Sequence, residues 1–353
     1  MDFFWKKPRV GIDLGATSIK LAGLRQKGRQ FNLEFYDVVH LTEEYALDSF
    51  MKVTDDHYIE QLQKLVTKHS LKNMSVSVAL PASSAIIQIL KVPIYQTESE
   101  LLDKIRSELK QVTEQNLDDM QIVCHELEDK DSAENKIPLL VCAIPNEVVA
   151  RYKSIISQAG LKAHVFDLDA LGVYNAFYYF SEMNFGPTTI VQVSDQYSIC
   201  LIMLPGRPPF FHVIKLGAAH LNKQTAEMAN SKVETSVLGG NDSKWADLNF
   251  FQNLSLPQIH SSNFEAFSSE VWKCMRHIQS HEGVSKFDKI YLSGGGSVLA
   301  DLAEAFEKTF GIDIKIWNPI LQFTNGGNTG LKRNQLDSSI YLTPAIGTAL
   351  RGN

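Results

Sequence analysis

The chain has 353 residues, enough for two domains with sizeable cores, and its 44% hydrophobic and 21% charged residues are those of an ordinary globular protein. Its formal net charge of -6 argues against a nucleic-acid-binding protein, which would usually carry a basic face. No apolar run is long enough to span a bilayer, and the aromatic and basic start, MDFFWKK, lacks the apolar stretch of a signal peptide. We therefore expect a soluble protein whose start forms a terminal tail lying on the fold.

Apolar periodicity divides the first half of the chain into strands and helices. A capping box, TESE at 97–100, marks the start of one helix. The predicted strands cover residues 9–13, 18–24, 31–39, 75–80, 85–92, 120–127, 137–143 and 163–167. The predicted helices cover residues 59–69, 101–112, 146–160 and 170–180.

The segment FGP at 185–187 interrupts this pattern, and we predict a boundary between two lobes there. The strands predicted beyond it cover residues 188–193, 198–204, 210–216 and 289–292. The helices cover residues 218–229, 264–278, 298–310 and 344–350, and the stretches 236–261 and 321–339 are predicted to be irregular. Each half opens with strand, turn and strand and later reaches a helix. This internal repeat indicates a duplicated ribonuclease-H-like lobe, and we predict an α/β, two-lobed actin-like fold.

Four cysteines, Cys124, Cys142, Cys200 and Cys274, stand among apolar residues and form no CxxC pair. Thiols in such surroundings are usually buried and reduced, as is typical of cytosolic proteins. We expect all four to be buried.

A first candidate site lies in VGIDLGATSIK, residues 10–20. Asp13 at a strand end can hold a magnesium ion through water. Gly15 permits a turn that a side chain would resist, and the exposed N–H groups with the hydroxyls of Thr17 and Ser18 suit phosphate oxygens. A plain β-hairpin turn beside an aspartate is the alternative, since DxG is a common sequence.

A second candidate site is IYLSGGGS, residues 290–297, between a predicted strand and a predicted helix. Gly294, Gly295 and Gly296 would let the backbone lie flat against a base or ribose, and a helix N-terminus would favour an anion. A flexible turn is the alternative. The two motifs in this order are more specific than either alone, and LTPAIGTA at 342–349 adds a third element of the same kind.

With these motifs the chain resembles the PilM family of actin-like proteins of type IV pilus assembly and, more distantly, the division protein FtsA. The resemblance also covers residues 4–7, 76–85, 140–145, 159–162, 166–170 and 216–221. It implies an extra subdomain, called 1C, in the first lobe. The implied divisions are 1–81 for subdomain 1A, 82–160 for 1C, 161–186 for the return to the first lobe, 187–318 for the second lobe, and 319–353 for a C-terminal return.

The resemblance implies that the cleft binds ATP with Mg²⁺ and that a groove between 1A and 1C binds the N-terminal cytoplasmic tail of a PilN-type membrane protein. The protein would act as a cytoplasmic scaffold joined to the inner membrane, other platform proteins and the motor through such partners. The glycines 294–296 would face the adenosine, and Gly217 would help to close the cleft. The phosphates would face Asp13, also the metal residue, with Gly15, Ala16, Thr17, Ser18 and Lys20.

The chain departs from the family pattern in the second phosphate loop, VQVSD at 191–195. Gln192 stands where an acid is usual and Ser194 where a glycine is usual. Asp195 would repel phosphate if it turned inward. The family's acid in the connecting helix appears as Asp169. We therefore hypothesise weak or absent hydrolysis and weakened ATP binding.

Other interpretations compete with this one. A sugar kinase of the same superfamily could begin with the motif at 10–20 but would need a catalytic base, which we do not find. An FtsA-like protein would carry a C-terminal amphipathic helix, and we expect none after the helix predicted at 344–350.

His277 and His281 have a zinc-ligand spacing on a helix but no third ligand nearby in sequence, so a solvated helix face is favoured. His220 could approach a nucleotide or cap a helix.

Overall fold

The computed structural model describes residues 7–41, 54–93, 97–114, 116–127, 136–181, 185–222, 259–299, 301–323 and 338–351. Most of the predicted tail, most of the predicted irregular stretches and the second part of the helix predicted at 218–229 lie outside these residues.

The strands are β1 (Arg9–Leu14), β2 (Ser18–Lys27), β3 (Gln30–His40), β4 (Ser75–Leu80), β5 (Ile86–Pro93), β6 (Met120–Glu126), β7 (Lys136–Pro145), β8 (Lys162–Leu168), β9 (Thr188–Val193), β10 (Ser198–Met203), β11 (Phe210–Ile214), β12 (Lys289–Ser293) and β13 (Asp313–Ile316). The helices are α1 (Asp55–Lys68), α2 (Glu98–Leu109), α3 (Asn146–Gln158), α4 (Asp169–Phe180), α5 (Ala218–Leu221), α6 (Ser261–Glu282), α7 (Leu302–Phe310), α8 (Pro319–Gln322) and α9 (Thr343–Arg351).

Two five-stranded sheets have the same topology. Their orders are β3-β2-β1-β4-β8 and β11-β10-β9-β12-β13. In each sheet the first three strands are antiparallel and the last two run parallel to the central strand, β1 or β9. This match confirms the predicted duplication. Strand β13 was not predicted, because it has four residues on a sheet edge, three of them exposed, and so lacks a clear apolar alternation.

Each sheet is covered by helices that the sequence pattern predicts. Thr54 and Thr97 cap α1 and α2 by accepting hydrogen bonds from backbone N–H groups of the first turn. The buried faces of α1 and α3 pack in one core with the first sheet, and α6 and α7 pack in a second core with the other sheet. Because the inner strands β4 and β9 are covered on both sides, they are buried along almost their whole length.

A third core joins the two lobes. It contains residues of β2, of β9 and β10, and of the helices α4 and α9. The two helices touch at glycines: a Cβ on Gly347 would lie 1.7 Å from the backbone oxygen of Gly172. This close approach lets α9 return to the first lobe, as the motif at 342–349 predicts.

The strands β5, β6 and β7 form a separate antiparallel sheet, which has its own core with α2. We call these elements the inserted sheet. Helix α3 lies within the segment 82–160 that the sequence assigns to subdomain 1C, but its apolar face packs in the core of the first lobe. The inserted sheet also approaches the second lobe, because Ile87 of β5 and Phe211 and Val213 of β11 pack against the same small cluster of Ala82, Ala170 and Ile199.

One cysteine differs from expectation. Cys124 is exposed on β6, whereas the other three cysteines are buried, because β6 is an edge strand of the inserted sheet. Within the described ranges, the helices are all too short or too polar to cross a lipid bilayer.

Candidate functional site

The β1–β2 hairpin lies where the two lobes meet, a junction that we call the cleft. Asp13 pairs with Lys20 across the hairpin, and its carboxylate lies 3.2 Å from the Lys20 ammonium, with both side chains largely buried. The turn closes through the Gly15 N–H, which donates to the Ser18 carbonyl at 3.0 Å. Ser18 is buried, Thr17 is half-buried and Ala16 is exposed at the tip. The predicted phosphate-facing residues therefore surround a single turn.

The glycine of this turn is needed for space. The sequence suggests a backbone conformation closed to other residues, but Gly15 is not among the positions with positive φ. A Cβ at Gly15 would instead lie 2.2 Å from the Lys20 ammonium nitrogen. The absent side chain thus lets the lysine lie over the turn.

Two tyrosines that the sequence analysis missed hold this hairpin from beneath. The Tyr58 hydroxyl donates to the Gly15 carbonyl at 3.0 Å, and the Tyr152 hydroxyl donates to the Leu14 carbonyl at 3.3 Å. Burial raises the pKa of Tyr58 to about 12 and that of Tyr152 further, so both remain neutral donors. In the sequence, Tyr152 is only an inward-facing position of the helix predicted at 146–160, and Tyr58 lies just before the helix predicted at 59–69.

The β9–β10 hairpin is the counterpart in the second lobe. Val193 and Ser198 are its last paired residues, as Leu14 and Ile19 are in the first hairpin, so each turn has four residues. The register therefore aligns Gln192 with Asp13 and Ser194 with Gly15, as the sequence predicts. Like Gly15, Ser194 is absent from the positions with positive φ, so the expected backbone strain does not occur.

Gln192 has a buried oxygen without a partner. Its side chain is 2% exposed, and among the described residues the Oε1 atom has no hydrogen-bond donor. The amide nitrogen lies beside the glycine bend, 2.6 Å from where a Cβ on Gly294 would stand. A buried acceptor in this state favours a donor from water or a bound molecule.

The glycine bend, residues 294–296, follows β12 and closes against the second hairpin. Gly294 has φ 83°, which a residue with a side chain rarely adopts, and Gly296 packs on Val193 and Ala218. The bend then enters a short 3-10 turn, Gly295–Val298, and α7 begins only at Leu302. The predicted helix from residue 298 is therefore wrong at its start, and the α7 N-terminus does not adjoin the glycines.

Gly217 supports the second hairpin from the side. A Cβ there would lie 2.3 Å from the Asp195 carbonyl oxygen and 2.6 Å from that of Ser194. At the start of α5, the Ala218 N–H donates to the Ser194 carbonyl at 2.8 Å, and the Ala219 N–H donates to the Asp195 carbonyl at 3.0 Å. His220 accepts a hydrogen bond from the Gly217 N–H through Nδ1, which is the capping role considered for it.

Charged groups from both lobes meet between the hairpins. Burial raises the pKa of Asp195, against the opposing effects of a 2.8 Å hydrogen bond from Gln196 and of the nearby Lys20 and His220 side chains. Asp195 therefore faces inward toward Lys20 of the first lobe. The two hairpins lie close enough for their charges to interact across the cleft.

A direct hydrogen bond also joins the lobes. The Tyr197 hydroxyl of the second hairpin donates to Asp169 at the start of α4. The other Asp169 oxygen accepts from the N–H groups of Ala82 and Ala170 at 2.9 and 2.7 Å. Burial raises the pKa of Asp169 to about 7, an effect that these bonds oppose and the charge of Asp13 reinforces.

The histidine pair on α6 lies elsewhere, on the outer side of the second lobe. The His277 ring packs near Phe210 and near His281, whose Nδ1 lies 2.8 Å from the His277 carbonyl oxygen. Within the described residues, these histidines are not part of any group of three potential metal ligands.

Comparisons with known proteins agree with this architecture. The solved structure of a PilM-PilN type IV pilus biogenesis complex matches with a TM-score of 0.71 and 16% sequence identity, covering 97% of this chain and 98% of that one. The ethanolamine utilization protein EutJ from Carboxydothermus hydrogenoformans matches with a TM-score of 0.50 and 12% identity, covering 98% and 90%. These likenesses confirm the predicted actin-like fold. A family model described as type IV pilus assembly protein PilM matches residues 11–353. Because that match covers nearly the whole chain, this chain belongs to the PilM family of type IV pilus assembly proteins.

Proposed function

We propose that this chain is a cytoplasmic scaffold of type IV pilus assembly, which binds Mg-ATP between its two hairpins and the N-terminal tail of a PilN-type protein on its first lobe. The nucleotide-binding part of this proposal rests on one observation: the two hairpins and the glycine bend come together at the cleft. Lys20 supplies a cation there, Asp13 a carboxylate, and Gln192 a buried acceptor without a donor among the described residues.

The residues fit a magnesium nucleotide. Lys20 and the N–H groups of the first turn would hold the phosphates, and Asp13 would hold the metal through water. The bend at Gly294–Gly296, which has no side chains, would lie along the adenosine. The Lys20 ammonium now forms an ion pair with the Asp13 carboxylate at 3.2 Å. The phosphates of a bound nucleotide would give Lys20 a second negatively charged partner.

Binding without efficient turnover follows from the second hairpin. Gln192 stands at the position of the second hairpin that is equivalent to Asp13 in the first, and an amide can orient a water molecule but cannot neutralise a metal ion. Asp195 adds a negative charge that opposes phosphate. Turnover comparable to that of active ATPases, abolished by Asp13→Ala, would contradict this part of the proposal.

The partner part rests on family membership and on the match to a PilM-PilN complex. The groove between the first lobe and the inserted sheet would bind an extended tail, a common mode of peptide recognition. Other platform and motor proteins, and the inner membrane itself, would be reached through this partner.

Contacts between the lobes provide a route from nucleotide to partner. The inserted sheet and the second lobe share a small apolar cluster that includes Ile87, Phe211 and Val213. Near this cluster, the Tyr197 hydroxyl donates a hydrogen bond to Asp169. A nucleotide that draws the second lobe toward the first would change these contacts and so the groove. Such coupling typically changes partner affinity about 5–150-fold.

Calorimetry of the whole chain with a synthetic PilN-type tail peptide, with and without Mg-ATP, tests the proposal. We expect the peptide to bind and its affinity to change at least about fivefold when Mg-ATP is present. The variant Asp13→Ala should bind the peptide but lose the response to Mg-ATP. No peptide binding in either condition would refute the scaffold proposal, and an unchanged response in Asp13→Ala would refute the assignment of the nucleotide site.

A further inference from the structure

Tyr341 lies across the glycine bend, although the sequence analysis gave it no role. A Cβ on Gly295 would lie 2.0 Å from Cε1 of this ring, 2.6 Å from Cδ1 and 2.7 Å from Cζ. The ring therefore occupies the space that the missing side chain of Gly295 leaves open. This is the surface along which an adenosine would lie.

The same ring reaches the first lobe. Its centroid is 5.5 Å from that of His40, and the two rings are nearly perpendicular, at 86°. His40 ends β3 and pairs in register with Ser18 of the first hairpin. Tyr341 thus spans the cleft from the glycine bend to the hairpin that would hold the phosphates.

The backbone around Tyr341 is held on both sides. Ile340 and Leu342 are 3% and 0% exposed, and the Thr343 hydroxyl hydrogen-bonds to that of Ser293 at 2.8 Å. A shift of the backbone would break this packing, whereas rotation of the tyrosine side chain would not. The side chain is therefore the part that can yield to a ligand.

We propose that Tyr341 sets the nucleotide affinity of the cleft, because its ring occupies the adenosine side and must turn away before a nucleotide can bind. This inference rests on the proposed nucleotide-binding function and adds the residue that limits it. The apparent dissociation constant equals the intrinsic constant divided by the fraction of time that the ring spends outside the site.

The surroundings of the ring agree with this role. Burial raises the pKa of the Tyr341 hydroxyl to about 12, and the nearby charge of Asp195 acts in the same direction, so the group stays neutral. A neutral aromatic ring can fill an apolar base site without a charge penalty.

Titration calorimetry of the full chain with Mg-ATP, and separately with adenosine and with inorganic tripolyphosphate, tests the inference on wild type, Tyr341→Ala and Tyr341→Phe. We expect Tyr341→Ala to bind Mg-ATP and adenosine about tenfold more tightly than wild type. Tyr341→Phe keeps the ring and should match wild type. Tripolyphosphate does not reach the glycine bend, so its affinity should be the same in all three proteins.

The outcomes separate this inference from the function on which it rests. If wild type binds Mg-ATP, Asp13→Ala abolishes that binding and Tyr341→Ala binds no more tightly, the role of Tyr341 is refuted and the nucleotide site stands. Weaker binding by Tyr341→Ala would mean that the ring stacks on the base, which also refutes the inference. If neither wild type nor Tyr341→Ala binds any of the three ligands, both proposals fail. Tyr341→Leu replaces the alanine variant if circular dichroism shows that the latter does not fold.

Discussion

Replacing Asp169 with asparagine removes a carboxyl group that the fold holds away from water at the junction of the lobes. Asparagine has the same shape. Its Oδ1 can accept from the N–H groups of Ala82 and Ala170, and its amide can donate to the Tyr197 hydroxyl, which now donates to the carboxylate. The substitution therefore keeps the hydrogen bonds and removes only the charge.

The size of the effect follows from the pKa. Burial raises the pKa of Asp169 from 3.8 to about 7, so between these values the folded protein keeps a proton that the unfolded chain releases. The stability contributed by this group is fully present below about pH 4 and is lost as the pH rises to about 7. The resulting cost in the free energy of unfolding is about 2 kcal/mol at pH 5 and about 4 kcal/mol at pH 8.

Because Asp169→Asn carries no such cost, its stability relative to wild type should increase by about 2 to 3 kcal/mol between pH 5 and pH 8. Equilibrium unfolding in urea at these two pH values measures the difference directly. Asp103→Asn, at an exposed position of α2, is the matched control and should show no such trend. A stability difference between Asp169→Asn and wild type that is the same at both pH values would refute the assignment of a buried, proton-binding carboxyl.

Two further predictions concern packing and exposure. Gly347→Ala should destabilise the protein by about 3 kcal/mol, because its Cβ would lie 1.7 Å from the Gly172 carbonyl oxygen and force α4 and α9 apart. Gly28→Asn is its control, since that site has φ 64° and open space and asparagine tolerates this conformation; equal urea midpoints for the two variants would contradict the packing argument. A thiol reagent added to the native protein should modify Cys124 alone, because the other three cysteines are buried. Rapid labelling that persists in Cys124→Ser would show that a second thiol is accessible.

Local patterns predicted most elements because the period of apolar residues depends only on neighbouring positions. They failed where the environment decides the conformation. Strand β13 exists because β12 offers it a pairing edge, and its own four residues carry little signal. The helix predicted from residue 298 starts later for two reasons. Residues 295–298 form a 3-10 turn, and Asp301, with φ 66°, has a left-handed conformation that cannot belong to α7.

The sequence by itself determined that a hairpin would open each of the two duplicated lobes, and it determined which positions of the second hairpin lack the usual acid and glycine. It also identified the glycine-rich segment at 294–296. Each of these features is carried by consecutive residues, so a linear pattern can contain it.

Only the tertiary structure decided what surrounds those turns. Tyr58 and Tyr152 support the first turn, Tyr197 bonds to Asp169, and Tyr341 covers the glycine bend. Each contact joins residues on different elements, and a tyrosine in a helix or turn has the same local pattern whether it packs in a core or lines a cleft. The direction in which its ring points is set by the packing of the elements around it, and that packing exists only in the folded chain.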